Sequence, residues 1–325
     1  MSKYPGISSE AFRHPLDQQA EASLRSVPGF DFVARKFVEF LSERPQQIYN
    51  LGNYVQVGPR QYSTLYRLFR EAASDLDLSP EPTLFVAQNP LANAYSLGKD
   101  HPYIVVHSGA LDLLTEAEIK TIIAHEIGHI KCGHTILIQM AIWAMNAIAE
   151  LSERTFGLGG IISSGLIFAF FEWRRKAELS SDRAALLVMD DLDTVIKTMM
   201  KISGGSDRYH HELSMTEFIR QSADYQELDR DSLNQIYKFL LYNGFNTGMM
   251  LSHPFPVERV HYLQQWAVSD QYQQIRQGNY PQQHSSVEVQ VETESPQPPE
   301  DPAAELRRQI ERLQAEINQI KGEKS

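Results

Sequence analysis

The sequence predicts an α+β fold, mostly helical, built around a small sheet. Three observations carry that prediction. Two short β-branched and aromatic runs, 83–87 (TLFVA) and 103–107 (YIVVH), are bounded by turn residues and read as strands. Between them, Asn93, Ala94, Tyr95 and Ser96 can form a third, short edge strand. Through most of the remaining chain, apolar residues recur at helical spacing. A chain of 325 residues can bury a sizeable core, as one large domain or two modest ones. Its net charge of -11 and the lack of a concentrated basic face exclude nucleic acid as a partner. Cys132 is the single cysteine, which excludes an intramolecular disulfide and leaves the fold to core packing, helped by a metal if one binds. The first residues have no apolar core behind a basic start, so they do not read as a secretory signal, and the expected location is the cytoplasm, with membrane association left open.

In chain order, residues 1–28 read as an N-terminal extension. Residues 29–45 carry apolar positions at helical spacing and predict a helix that stops at Pro45. A strand is expected over 53–57, then a second amphipathic helix over 64–76. Residues 115–132 read as one helix: Thr115 suits the N-cap, and Glu116 and Glu118 fall in the first turn, where the helix dipole favours acids. Two apolar stretches follow, 136–149 and 156–171, joined by a polar LSER. At 14 and 16 residues they fall short of the roughly 20 a membrane span requires. They predict a helical hairpin that packs on the rest of the chain, buries in a partner or dips into a membrane surface. The helical pattern resumes from Glu172 to about Lys201, and further helices are expected over 208–272. Residues 279–303 are polar, acidic and proline-bearing, a disordered linker by composition. Over 304–322, Leu306, Ile310, Leu313, Ile317 and Ile320 form a short a/d stripe on an amphipathic helix. That helix could self-associate, bind a partner, fold over the hairpin or stand in solvent.

The chemistry concentrates in His125-Glu126-Ile127-Gly128-His129. Histidines at i and i+4 of a helix project from one face and can reach one metal ion. Glu126 is angled off that face, where it can act as the base toward a water molecule. Gly128, unfavourable in a helix by about 1 kcal/mol relative to Ala, is expected to leave space beside the ligands. Catalytic zinc requires a third protein ligand and an open position. Glu178 is the candidate ligand, and Asp182, one turn on, is the candidate outer partner of a ligand histidine. The competing reading makes both of them solvated acids beside Arg174, Arg175 and Arg183. His134, His210, His211 and His261 read as structural or exposed.

The runs NAYSLGKDHPYIVVHSGALDLLTEAEIKTIIAHEIGHIKCGH, AELSSDRAAL and SHPFPVER, in that order, resemble metallopeptidase family forty-eight. That family includes the CAAX prenyl endopeptidases and the heat-shock protease HtpX. The likeness covers roughly residues 60–265. It implies a minimal gluzincin catalytic domain over 29–278, with the apolar hairpin inserted in it and one zinc ion per chain held by His125, His129 and Glu178. It further implies Glu126 as base, Asp182 as the aspartate of the ExxxD pattern, and Asn93, Ala94, Tyr95 and Ser96 as the edge that pairs with an extended substrate. Ser96 stands where the family usually has a different small residue. His253 is implied as a donor to the developing oxyanion, Arg259 as a brace for the acidic ligands, and Asn93 as a further contact to that oxygen or the substrate. The expected reaction is hydrolysis of internal peptide bonds in protein or peptide substrates. A different class is also open: a non-catalytic metal-containing scaffold acting through the hairpin and the terminal helix, by self-association or peripheral membrane contact.

Overall fold

The computed structural model describes residues 2–40, 43–143, 159–228 and 255–283. Its four-stranded sheet has the order β1-β2-β4-β3, with strands Val55–Gln56 (β1), Thr83–Ala87 (β2), Ala94–Leu97 (β3) and Tyr103–His107 (β4). β2 and β4 run parallel, with Thr83 opposite Tyr103 and Ala87 opposite His107. β1 is antiparallel to β2, and β3 is antiparallel to β4. All five residues of β4 are buried, which explains why it reads as an unbroken apolar run instead of an alternating one. β3 alternates: Ala94 and Ser96 are buried, Tyr95 and Leu97 half-buried. Among the described residues β3 is an edge of the sheet, as expected from the sequence.

The helices are α1 (Pro15–Ser26), α2 (Phe30–Phe40), α3 (Arg44–Asn53), α4 (Ser63–Asp75), α5 (Ser108–Leu113), α6 (Glu116–Lys131) and α7, described over 134–143. They continue with α8 (Gly159–Met189), α9 (Leu192–Gly204), α10 (Met215–Leu228), α11 (Pro256–Ala267) and α12 (Asp270–Arg276). α6 begins as its sequence predicts. The Thr115 side chain accepts from Glu118 N, and the Glu118 carboxylate accepts from Thr115 N, a reciprocal cap. From Thr121 to His129 every residue of α6 is buried. Ile119, Ile123 and Ile127 share one core with Leu68 and Phe69 of α4 and Leu186 and Leu187 of α8. Tyr4, Ile7 and Phe12, from the stretch read as an extension, belong to the same core.

Several boundaries differ from the sequence reading. The helix expected over 29–45 is two helices, and Pro45 opens the second, in its first turn, where a missing N–H costs nothing. The strand expected over 53–57 shrinks to two residues because α3 occupies the chain as far as Asn53. α8 starts well before Glu172 and runs unbroken through the described part of the second apolar stretch, from Gly159 on. It ends at Met189, where Asp190 takes a positive φ and Asp191 caps α9. α5 went unread.

Leu137, Ile138 and Met140 of α7 and Leu166, Phe170 and Trp173 of α8 pack on Leu24, Phe30 and Phe37 of α1 and α2 in a second core. The described ends of the two apolar stretches therefore pack on the N-terminal helices. Among the described residues no helix is long and apolar enough to cross a membrane. Residues 144–158, most of the 279–303 linker and the whole 304–322 helix lie outside the described residues.

Candidate metal centre and active site

α6 carries His125, Glu126 and His129, and α8 crosses it carrying Glu178 and Asp182. The two imidazole Nε2 atoms are 3.2 Å apart. Glu178 Oε2 lies 3.3 Å from His125 Nε2, and Glu178 Oε1 lies 3.3 Å from His129 Nε2. Bonds of about 2.0–2.1 Å to a tetrahedral zinc ion set its ligand atoms about 3.3–3.4 Å apart. Each imidazole Nε2 thus stands near that spacing from the other ring and from one of the two oxygens of the Glu178 carboxylate, and all three residues are buried. The solvated-acid reading fails on burial: Glu178 is 1% exposed and Asp182 2%.

The remaining ring nitrogens are also engaged. His125 Nδ1 is 3.0 Å from Asp182 Oδ1. Arg259 Nε donates to Asp182 Oδ2 at 2.7 Å, and its Nη1 is 3.0 Å from Glu178 Oε2. Arg259 thus contacts both acids. Burial alone would raise the Asp182 carboxyl, but Arg259 and the His125 hydrogen bond hold it below its ordinary value. Burial likewise opposes charge on His125, yet Asp182 and Glu178 raise it, whereas burial pushes the His129 imidazole down to about 4. A neutral ring is what metal ligation requires.

On the other side, His129 Nδ1 is 3.0 Å from His134 Nδ1, and His134 Nε2 is 3.0 Å from Asp17 Oδ2. His134 is fully buried and belongs to this cluster. Asp17, from α1, was not anticipated. It stands 117 residues from His134 in the chain, and no periodicity connects them.

Glu126 is buried beside the donor cluster and accepts a hydrogen bond from Ser96 Oγ at 2.7 Å. The serine that departs from the family's usual residue therefore contacts the carboxylate expected to act as base. Two depressions meet at Glu126 and Asn93. The wider, of about 920 Å³, is lined by Tyr95, Ser96, His129, Ile138 and Arg174 among others. The other, of about 490 Å³, is walled by apolar Ile122, Val195, Met199 and Ile202. Asn93, Ala94, Tyr95 and Ser96 thus border the same cleft as the His-His-Glu cluster. His253 lies outside the described residues.

The sequence profile of peptidase family M48 matches residues 59–267. The chain is 33% identical over 275 residues to plastoglobule-localized metallopeptidase 48, chloroplastic, of Arabidopsis thaliana, covering 84% of this chain and 76% of that protein. It is 31% identical over 103 residues to the protease HtpX homolog of Persephonella marina, covering 27% of this chain and 36% of that one. Against the protease HtpX homolog of Moorella thermoacetica it is 22% identical over 233 residues, covering 64% and 73%. No solved structure matches the chain. A family match across well over half of the chain, and a relative similar along most of its own length, show that the chain belongs to peptidase family M48 and is a metalloprotease.

Proposed function

We propose that the chain is a zinc-dependent endopeptidase, with His125, His129 and Glu178 as ligands and Glu126 as base. The observation that carries this reading is the buried group of His125, His129 and Glu178, with the two Nε2 atoms 3.2 Å apart and each 3.3 Å from one Glu178 carboxylate oxygen, beside Glu126 at the meeting point of two open depressions. A zinc ion held there supplies Lewis acidity, lowering the pKa of water towards about 7 and polarising a carbonyl. Glu126 takes the proton of the attacking water at its carboxylate and passes it to the leaving amine. The edge strand β3 offers backbone groups to an extended peptide, so binding depends little on substrate side chains. The apolar pocket walled by Ile122, Val195 and Met199 accepts an apolar side chain near the scissile bond.

The expected result is one zinc per chain and, in Glu126→Gln, zinc retained with casein cleavage reduced by about 10²–10⁴-fold. A Glu126→Gln variant as active as the parent would exclude Glu126 as base. A non-catalytic scaffold would give metal without cleavage by the parent. Phe32, Ile48 and Leu51 stand exposed on the consecutive helices α2 and α3. Together with the plastoglobule-localized name of the Arabidopsis relative, this favours peripheral contact with a lipid surface, tested by flotation with neutral vesicles.

A further inference from the structure

His129 can offer Nε2 to a metal only if its proton sits on Nδ1. That nitrogen faces His134 Nδ1, and two nitrogens share a hydrogen bond only when one carries the proton and the other the lone pair. The direction is set from the far end. Asp17 is fully buried and accepts from Arg13 Nε at 2.9 Å and from Ser180 Oγ at 2.7 Å. An ionised carboxylate only accepts, so the ring nitrogen of His134 that faces Asp17, Nε2, is the one that carries an N–H, and the single-proton ring so oriented turns its Nδ1 lone pair to His129. His129 must then donate from Nδ1, which leaves its Nε2 lone pair facing His125 Nε2 and Glu178 Oε1. The arrangement mirrors the other ligand: Asp182 braced by Arg259 stands behind His125, and Asp17 braced by Arg13 stands behind His129, one imidazole further out.

We infer that Asp17, acting through His134, is a positioning residue that fixes the tautomer of the ligand His129. The first helix is thereby part of the metal centre, although the family match begins only at residue 59. The inference rests on zinc binding at His125, His129 and Glu178 as proposed above. If Asp17 and His134 were instead a buried pair serving the fold alone, their loss would lower stability and leave zinc affinity untouched.

The test uses full-length Asp17→Ala and Asp17→Asn, with zinc affinity measured by chelator competition. Selective ¹⁵N-histidine spectra of the zinc-depleted proteins report the His129 tautomer. Loss of an outer partner of a metal-bound histidine weakens binding about 10–100-fold, and that is the loss expected for Asp17→Ala. Asp17→Asn keeps the size and one acceptor oxygen, so it should fall between the parent and Asp17→Ala, and it decides the matter if Asp17→Ala does not fold. The parent should show His129 as the Nδ1–H tautomer, and Asp17→Ala should not. Zinc affinity within about twofold of the parent in the folded variant, well short of the range for an outer-partner loss, overturns the inference, as does an Nε2–H tautomer in the parent. If the parent takes up no zinc, the metal-centre reading itself falls.

Discussion

His14 caps α1 by accepting the Leu16 N–H on its Nδ1, with its ring edge-on to Tyr262. Burial, with Arg183 and Lys176 nearby, outweighs Asp17 and Asp182 and lowers its imidazole to about 3. The unfolded chain therefore takes up a proton here near pH 6.5, while the folded protein resists until about pH 3. The stability contributed by neutral His14 is complete above pH 6.5 and is lost as pH falls, at up to about 1.4 kcal/mol per unit. Denaturant unfolding of the parent should thus weaken more steeply between pH 6.5 and 4.5 than that of His14→Asn, which caps without titrating. Parallel pH profiles would contradict this. The other histidines are common to both proteins and cancel in the comparison. At this scale the legible residues were those adjacent in the chain: His125, Glu126 and His129 announce themselves by spacing, and Glu178 and Asp182 by lying one turn apart on a helix. Asp17 was not legible, because what joins it to the ligands is the docking of α1 on α7 and α8, a tertiary event with no local pattern; His134, five residues past His129, reads as structural because nothing in the sequence shows its ring turned onto the ligand.

The two ligand helices cross where Gly128 faces Ser181 and Ala184. A Cβ on Gly128 would lie 2.7 Å from Ala184 Cβ and 2.9 Å from Ser181 Cα. The glycine therefore does not leave open space beside the ligands, as its position in the sequence suggested; α8 fills that space. Helix propensity alone would make Gly128→Ala stabilising by about 1 kcal/mol, but backbone atoms of α8 cannot yield as a flexible side chain would. Overpacking of this kind costs about 1–3 kcal/mol, so the variant should unfold at lower denaturant. It should also bind zinc more weakly, because pushing α8 away withdraws Glu178. A Gly128→Ala protein more stable than the parent would show that the crossing relaxes freely. Elements were readable where one signal acted alone, as in the buried runs of β2 and β4 or the capped start of α6. They were misread where signals competed. Pro45 marks a stop only if nothing helical follows, and α8 hides its continuity because its apolar first half and its charged second half look like different segments.

The donor triangle draws on parts of the chain remote from one another: α6 gives two ligands, α8 the third, and α11 and α1 the groups standing behind them. Residues 1–283 form one compact unit, so a ligand that recognises this convergence stabilises the whole unit and not one helix. At a free zinc concentration of about 100 Kd, binding to the folded state alone adds about 2.7 kcal/mol. For a domain of this size 1 kcal/mol corresponds to about 2–4 °C, which places the expected rise in Tm at about 5–10 °C. The rise should appear in the transition that melts the main core, since the ligand helices α6 and α8 share that core with α4 and α9. A chelator should reverse it. Glu178→Ala should lose most of the increment, because the two histidines, four residues apart, can still meet in an unfolded helix turn and no longer distinguish folded from unfolded chain. An equal Tm rise in parent and Glu178→Ala would mean that zinc stabilises the protein at some other place, and would separate the ligand triangle from the stability of the fold.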